Sequence, residues 1–214
     1  MGFHLPVGYH ENPGPVYFLD DPTADRGIVF QPDVYTLAEY LAELTGGGAL
    51  GPPAIVDVGC GWGDKLALMH DRHPGWTFHG VDYGANIARC RQAWPWGSWV
   101  EHDLETFVAL DADEAIVICS DVIEHLVDPL PLIASLRASG AAAIVLSTPE
   151  RDVQHGYDHR GPSPNLCHVR EWNAHELHVL LEEHGLRIRH HGLTRGSDQG
   201  WPMATQLVVA EPAS

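Results

Sequence analysis

Residues 55–65 read IVDVGCGWGDK, and this stretch decides the fold more than any other part of the chain. The IVDV run is apolar and β-branched except for Asp57, which favours a buried strand. The GCGWG segment predicts a tight glycine loop, and the residues after it are good helix formers. A strand, a glycine loop and a helix N-terminus together make a cradle for an anion or a nucleotide, because backbone N–H groups are exposed there and no Cβ holds a ligand away.

The spacing of the glycines separates two classes of ligand. A dinucleotide-binding loop has the pattern G-x-G-x-x-G, whereas here the third glycine comes one residue early and Asp64 takes its place. G-x-G-x-G with an acidic residue two before the first glycine resembles motif I of the class I S-adenosylmethionine (SAM) dependent methyltransferases. The alternative is an ordinary strand-to-helix turn that happens to contain several glycines. The resemblance implies that the loop holds the methionyl end of SAM, with Asp57 near its amino group, and that the cofactor-binding loop residues are Gly59, Cys60, Gly61 and Gly63.

Composition describes a compact enzyme rather than a polyanion-binding protein. The chain has 214 residues, so one domain is expected. Its formal charge of −17 argues against nucleic acid as a partner, because phosphate neutralisation needs clustered basic residues. The four cysteines form no C-x-x-C pair, which argues against a zinc site or a disulfide framework. The first residues lack the pattern of a signal peptide and no apolar run is long enough for a membrane span, so a cytoplasmic protein is expected. The sequence leaves open whether it is a monomer or a homodimer.

Strand and helix patterns alternate along the chain, which predicts a doubly wound, Rossmann-like α/β fold over residues 1–214. The last two apolar segments can pair as a hairpin. This matches the class I methyltransferase fold, a seven-stranded, mostly parallel sheet with an antiparallel last strand. The predicted helices are 32–44, 64–70, 86–94, 122–126, 131–138 and 174–183, and the predicted strands are 54–58, 76–81, 98–101, 115–119, 142–146, 186–193 and 205–210.

Acidic residues follow several predicted strands, where ligands of open α/β sheets bind. Asp82 ends the second strand about twenty residues after the glycine loop, a position from which a carboxylate can accept hydrogen bonds from both ribose hydroxyls. Asp103 and Leu104 resemble the family position that contacts the adenine amine. Tyr83 and Ser120, at the ends of the second and fourth strands, complete the predicted cofactor contacts. For Asp82 the alternative is a solvated turn residue, and for Asp103 it is one of the alternating acids, with Glu101 and Glu105, of an exposed strand end.

The segment after the fourth strand, DVIEHLVDP at 121–129, resembles a block found in many small-molecule methyltransferases. On a helix, Asp121, Glu124 and His125 stand at i, i+3 and i+4 and face one point. Two carboxylates and an imidazole are suitable ligands for Mg²⁺ or Mn²⁺. A similar motif binds such a metal in ubiquinone-pathway O-methyltransferases and in small-RNA 3′-terminal 2′-O-methyltransferases. In the latter a further histidine precedes a Glu-Trp pair, as His168 does here.

The metal hypothesis competes with a structural explanation of the same residues. Asp121 as N-cap and Glu124 at N3 would make a capping box, and His125 would then only line the pocket. Glu124, His125 and His168 are the candidate catalytic residues, with either histidine as the base that accepts a hydroxyl proton.

A long segment, 147–172, carries no clear periodicity and predicts a lid-like loop over the acceptor. Asn173 and Glu176 then predict a capping box at the next helix. Residues 1–30 lie outside every motif and are expected on the acceptor side, where the aromatic residues of segments 9–18 and 200–202 could close over the substrate.

Together these features predict SAM-dependent methyl transfer to a small polar acceptor, with a hydroxyl as the expected target. Segment 147–172 resembles that of a group of bacterial methyltransferases, and this resemblance implies a sugar or natural-product intermediate as the acceptor. The alternatives are N-methylation of a small molecule, metal-dependent RNA 2′-O-methylation, which conflicts with the charge, and a non-catalytic SAM-binding module. An NAD-dependent oxidoreductase fits the fold but not the spacing at Gly63 and Asp64.

Overall fold

The computed structural model describes residues 3–15, 32–46, 52–195 and 204–213. Seven strands form one sheet in the order β3-β2-β1-β4-β5-β7-β6. β1 to β5 are parallel, and β7 runs antiparallel to both of its neighbours. The strands are β1 (Ala54–Val58), β2 (Thr77–Asp82), β3 (Ser98–Glu101), β4 (Ile116–Ser120), β5 (Ala143–Pro149), β6 (Leu186–Arg195) and β7 (Ala204–Pro212).

The helices alternate with the parallel strands, as the pattern of the sequence predicts. A 3₁₀ turn, Ile123–His125, replaces the helix predicted at 122–126. The α-helices are α1 (Pro32–Thr45), α2 (Asp64–Arg72), α3 (Gly84–Ala93), α4 (Leu130–Arg137), α5 (Arg151–His155) and α6 (Ala174–Glu183).

The predicted fold class is confirmed, including the terminal hairpin of β6 and β7. β7 inserts between β5 and β6, so the last strand of the chain lies inside the sheet and β6 forms its edge. Two apolar clusters cover the two faces of the sheet. One contains α4, α6 and Trp172, and the other contains α1, α2 and Trp99. The central parallel strands β1, β4 and β5 are buried on both sides and therefore read as nearly continuous apolar runs, whereas the edge strand β3 is mostly exposed.

The carboxyl ends of β1, β2 and β4 lie side by side at one edge of the sheet, since these strands are neighbours and parallel. The residues at these ends are the ones that sequence analysis selects as a site, and this edge is where open α/β sheets bind ligands. Among the described residues, no helix is long and apolar enough to cross a membrane.

Candidate functional site

The glycine loop connects β1 to α2 and uses backbone conformations that favour glycine. Gly59, Gly61 and Gly63 have φ values of 82°, 56° and 75°, a region that L side chains rarely adopt. A Cβ on Gly59 would lie 2.3 Å from the Val122 side chain, whereas a Cβ on Gly61 would point into open space. Gly59 thus allows close packing against the turn after β4, and Gly61 keeps one side of the loop accessible to a ligand.

Asp57 lies on β1 below this loop and is 1% exposed. Its Oδ2 accepts a hydrogen bond of 3.0 Å from the Tyr35 hydroxyl. No donor in the described part of the chain reaches Oδ1. Burial raises the pKa of Asp57 to about 6, although the nearby charge of Lys65 and the bond from Tyr35 lower it. An unpaired buried carboxylate oxygen is costly, so Oδ1 suits a cationic donor such as an amino group.

Asp82 ends β2 and is 7% exposed. Its Oδ2 accepts from the Gly61 N–H at 2.7 Å, and its Oδ1 accepts from the Tyr83 N–H and the Asn86 amide at 2.7 and 2.9 Å. Burial raises the pKa of Asp82 despite these three bonds. Asp82 therefore fixes the glycine loop directly, a role in addition to the ribose contact predicted for it.

The other predicted cofactor residues lie around this pair. Asp103 is exposed and accepts from the Glu105 N–H, as in a solvated turn. Leu104 packs against the core cluster of α4 and α6. Tyr83 is the N-cap of α3 and is 42% exposed, and Cys60 is buried within the loop. The adenine contact of Asp103 and Leu104 stays a prediction. Ser120, the last residue of β4, has its hydroxyl 2.9 Å from the Ser147 hydroxyl on β5.

The capping box predicted at Asp121 and Glu124 is wrong. The N-cap of the 3₁₀ turn is Val122, and no side chain caps that turn. Asp121 instead has a φ of 54°, and its Oδ1 accepts from the Ser147 hydroxyl at 3.2 Å. A non-glycine residue with positive φ costs free energy and is enriched at functional sites. The chain leaves β4 so abruptly here that the regular helix required for the i, i+3, i+4 arrangement does not form.

Glu124 points inward from this turn and is fully buried. Its Oε2 accepts from the Thr148 hydroxyl at 2.8 Å, while Oε1 has no partner among the described residues. Burial, and then the charge of Asp121, raise the pKa of Glu124 to about 8, against the lowering effect of His168. A cation at Oε1 would remove the cost of this buried, unpaired oxygen.

Glu124, His125 and His168 come together although 43 residues separate the two histidines in sequence. One ligand atom from each lies within 4.8 Å of the others, so the three could hold a metal ion. The two imidazole rings are 4.9 Å apart at an angle of 77°. Three of the four predicted metal ligands therefore form one group; Asp121 lies beside it and is not part of it in the described chain. We call these three residues the acceptor cluster.

Both histidines of the acceptor cluster are held by acceptors behind them. His125 Nδ1 lies 2.8 Å from the Cys167 carbonyl oxygen, and His168 Nδ1 lies 2.5 Å from Glu171 Oε1. Histidines that bind metals commonly donate their other N–H to a carbonyl or a carboxylate in this way. His168 Nε2 also lies 2.9 Å from the Asn165 amide. Burial lowers the pKa of His168, but the bond to Glu171 and the nearby carboxylates outweigh it and raise that pKa.

Glu171 is a buried hub behind the cluster. Besides His168, its carboxylate accepts from the Ser163 hydroxyl at 2.7 Å and contacts His155 Nε2 at 2.8 Å. Burial would raise the pKa of Glu171, but these partners, His168 first, lower it. Its backbone N–H donates to the Tyr9 hydroxyl at 3.0 Å.

The prediction that residues 147–172 lack secondary structure is wrong. β5 continues to Pro149, α5 follows, and Glu150 bridges to Trp172. Arg151 is 1% exposed and binds both carboxylate oxygens of Glu176, at 2.5 and 2.9 Å. The buried ion pair between Arg151 and Glu176 holds this segment in place, so the segment forms a fixed wall beside the site. Sequence reasoning missed them because they pair residues far apart in the chain.

Arg170 joins this wall to the turn after β4. It is 1% exposed, donates to the carbonyls of Leu126 and Val127 at 2.9 and 2.8 Å, and pairs with Glu11 at 2.5 Å. Its guanidinium lies 4.4 Å from the ring centre of Phe3.

Residues 3–15 lie against the same wall, which we call the N-terminal strap. The Asn12 amide donates to the carbonyls of Ser163 and His168 at 3.1 and 2.8 Å, and its N–H donates to Val169 at 2.9 Å. Trp172 donates from its indole to the Phe3 carbonyl at 2.9 Å. The strap therefore supports the loop that carries His168. Of the aromatic segments predicted to close over the acceptor, residues 16–18 and 200–202 lie outside the described residues.

Several residues of the site were not selected from the sequence. Tyr35 donates a hydrogen bond to Asp57 and Thr148 donates one to Glu124, and neither donor belongs to a sequence motif. Arg170 and Glu171 belong to the segment HVREW at 168–172. Its resemblance to a methyltransferase motif indicated a site there but not the roles of these two residues. The capping box that the sequence predicts at Asn173 and Glu176, at the start of α6, is confirmed in both of its hydrogen bonds.

The sequence model of a family described as methyltransferase domain matches residues 33–191, which include the glycine loop, Asp82 and the whole acceptor cluster. The chain belongs to this methyltransferase domain family. Its fold is that of the class I SAM-dependent methyltransferases. The match begins at residue 33 and ends within β6, so the N-terminal strap at residues 3–15 precedes it.

A curated relative and two solved structures place this methyltransferase domain among known proteins. It is 33% identical over 115 residues to the trans-aconitate 2-methyltransferase of Azoarcus sp. strain BH72, an alignment that covers 51% of this chain and 45% of the relative. The chain therefore spans less than half the length of that relative. A putative methyltransferase from Bacillus halodurans superposes with a TM-score of 0.61 at 15% identity, covering 84% of this chain and 99% of that one. The N-terminal domain of EvdMO1, solved with S-adenosylhomocysteine (SAH) bound, gives 0.59 at 20%, covering 89% and 85%.

Proposed function

We propose that this protein transfers a methyl group from SAM to a hydroxyl of a small polar molecule. One observation carries the proposal: Val122, in the turn that bears the acceptor cluster, packs against Gly59 of the glycine loop. A cofactor on the loop and an acceptor at the cluster would then be neighbours. Methyl transfer requires this proximity, which can supply about 7–11 kcal/mol of the barrier reduction.

The cofactor side fits SAM on two observations. Asp57 Oδ1 is a buried oxygen without a donor, suited to the amino group, and Gly61 leaves open space where a Cβ would stand. Asp82 ends β2, where it can accept from ribose hydroxyls while it holds the loop. When bound, SAM supplies an electrophilic methyl group on a sulfonium.

The acceptor cluster supplies the proton chemistry in this proposal. A hydroxyl acceptor must lose its proton during transfer, and a positioned base contributes about 10²–10⁴ in rate. His125 Nδ1 lies 2.8 Å from the Cys167 carbonyl oxygen, and donation there makes Nε2 the basic nitrogen of the ring. His168, held by Glu171, is the second candidate base, and its Nε2 would have to release the Asn165 amide nitrogen to accept the proton.

A divalent cation, Mg²⁺ or Mn²⁺, also fits the acceptor cluster. The unpartnered Glu124 Oε1 and the acceptors behind both imidazoles are the supporting observations. Glu124, His125 and His168 would hold the ion, and its charge would lower the pKa of a coordinated hydroxyl.

The small size of the acceptor is inferred from the charge and from the walls of the site. A net charge of −17 opposes nucleic acid, and the strap binds the segment that carries His168 through Asn12 and Tyr9. The name of the curated relative indicates that its own acceptor is a small molecule, trans-aconitate.

The function is tested first by cofactor binding and then by turnover. We expect SAM and SAH to raise the melting temperature and NAD to leave it unchanged, because a ligand stabilises only the state it binds. Transfer from methyl-labelled SAM to a panel of hydroxylated, amine and carboxylate small molecules should then label a hydroxyl compound. Stabilisation by NAD alone would refute the proposal. Labelling of amines only would replace O-methylation by N-methylation, and SAM binding without any turnover would favour a binding module.

The metal is tested by direct Mn²⁺ binding, which needs no acceptor. Electron paramagnetic resonance should show one bound Mn²⁺ in the wild type and none in Glu124→Gln or His168→Asn. His178→Asn changes an exposed histidine on α6 and should bind as the wild type does. Equal, weak binding by all four proteins would refute the metal and leave His125 and His168 as bases.

A further inference from the structure

Asp57 is held asymmetrically, and the residues that hold it lie outside the glycine motif. Tyr35 comes from α1 and donates to Oδ2 at 3.0 Å, whereas Oδ1 meets no donor in the described segments. Tyr35 itself is 7% exposed. A phenol has one proton to donate, so the hydroxyl that binds Oδ2 fixes the carboxylate about its last torsion and leaves the other oxygen for a ligand.

Lys65 completes the arrangement from α2. It is the only lysine of the chain, and its ammonium lies 5.0 Å from the centre of the Tyr35 ring, within cation–π range. Its positive charge favours the ionised form of Asp57, which burial and the charge of Asp82 oppose. Three elements, α1, β1 and α2, thus converge on one carboxylate.

We propose that Tyr35 is a positioning residue for the amino group of SAM: it holds Asp57 so that Oδ1 receives that group, and Lys65 keeps the carboxylate ionised. This inference rests on the proposed function. The competing explanation is that Tyr35 only satisfies a buried carboxylate and supports packing of α1. The two explanations differ in which part of the ligand should respond to a change at Tyr35.

Two ligands separate the explanations: SAH carries the amino acid end, and 5′-methylthioadenosine keeps the thioether nucleoside without it. Calorimetric titration of Tyr35→Phe should show SAH binding weakened about tenfold, the scale of one hydrogen bond to a charged group. Methylthioadenosine should bind as to the wild type. Tyr40→Phe, on the same helix at a residue that is 56% exposed, should change neither affinity.

Lys65 is tested by pH. The pKa of Asp57 is raised to about 6, so SAH affinity should fall as pH drops through that range and the carboxylate takes up a proton. Lys65→Met should move this midpoint upward, because the charge that favours ionisation is lost, and Lys65→Arg should restore it. The titratable and charged groups that face Asp57 are Tyr35, Cys60, Lys65, Asp82, Cys90 and Cys119. Methylthioadenosine affinity should not follow this titration.

The outcomes are distinguishable. Equal weakening of both ligands by Tyr35→Phe would mean a general packing effect and would overturn the inference while leaving the proposed function intact. A wild type that binds the two ligands equally would overturn it as well. A wild type that binds neither SAM nor SAH would refute the proposed function, and the inference with it. Should Tyr35→Phe fail to fold, Lys65→Met and Lys65→Arg still test the account. If the pH midpoint of SAH binding is the same in Lys65→Met as in the wild type, the account is contradicted.

Discussion

The part of the site proposed for the cofactor, here the cofactor half, and the part proposed for the acceptor, here the acceptor half, are built in different ways. The cofactor half consists of β1, the glycine loop and Asp82, and its central contact joins Gly61 to Asp82, 21 residues apart. The acceptor half joins the turn after β4 to the segment around His168 through Arg170, and the N-terminal strap binds that segment. Asn12 and the His168 carbonyl that it binds are 156 residues apart.

This difference has a physical basis. A glycine loop needs particular backbone conformations, and those conformations restrict the sequence locally. The acceptor half has no such local rule, because its geometry comes from buried ion pairs and hydrogen bonds between distant segments. We therefore expect changes in the cofactor half to act on ligand affinity, and changes in the acceptor half to act on stability and on turnover.

The largest effect should come from Gly61→Val. The residue has a φ of 56°, and its Cβ would enter the open side of the loop. We expect SAH binding to be lost in calorimetric titration. The strained backbone should destabilise the fold by about 1–2 kcal/mol, measured by urea unfolding.

Gly75→Val is the matched control for this change. Gly75 also has open space at its Cβ, but it lies in the turn before β2 and has no positive φ. It should keep the SAH affinity of the wild type. SAH binding retained by Gly61→Val would mean that the ligand does not lie over this loop.

Arg170→Met should act on the acceptor half alone. It removes the donors to the carbonyls of Leu126 and Val127 and the ion pair with Glu11. Each buried acceptor left without a partner costs about 1–3 kcal/mol, so urea unfolding should show a loss of at least that size. Turnover should fall at least tenfold, because the turn that bears Glu124 and His125 loses its support, while the SAH dissociation constant stays within about twofold.

Arg187→Met removes an arginine that is half exposed on β6 and should be almost silent in all three measurements. The division into two halves would be contradicted if Arg170→Met lost SAH binding while the protein that still carries cofactor turned over at the wild-type rate.

The smallest effect should come from Asn173→Ala at the start of α6. Its side chain accepts from the Glu176 N–H at 2.9 Å and donates to Asp152 at 2.8 Å. Loss of the N-cap should cost about 1 kcal/mol, seen as a lower urea midpoint, with SAH affinity unchanged. A change in SAH affinity would show that this end of the wall is coupled to the cofactor half.

The sequence predicted the fold around the glycine loop well and the arrangement around His168 only in outline. The parallel strands, the glycine loop and the position of Asp82 follow from local patterns with short periods. The acceptor cluster was selected in part by resemblance, and the local argument for it was wrong, since Asp121 adopts a positive φ and the helix is replaced by a 3₁₀ turn. Arg170 and the strap could not be assigned, because nothing in a sequence states which distant carbonyl a buried guanidinium will bind.

A crystal structure of the protein with SAH bound tests the central claim most directly. The account predicts that the amino group lies within hydrogen-bonding distance of Asp57 Oδ1, that the ribose hydroxyls face Asp82, and that the sulfur points toward Glu124, His125 and His168. SAH bound away from the glycine loop, or with its amino group directed away from Asp57 and its sulfur away from the acceptor cluster, would contradict it.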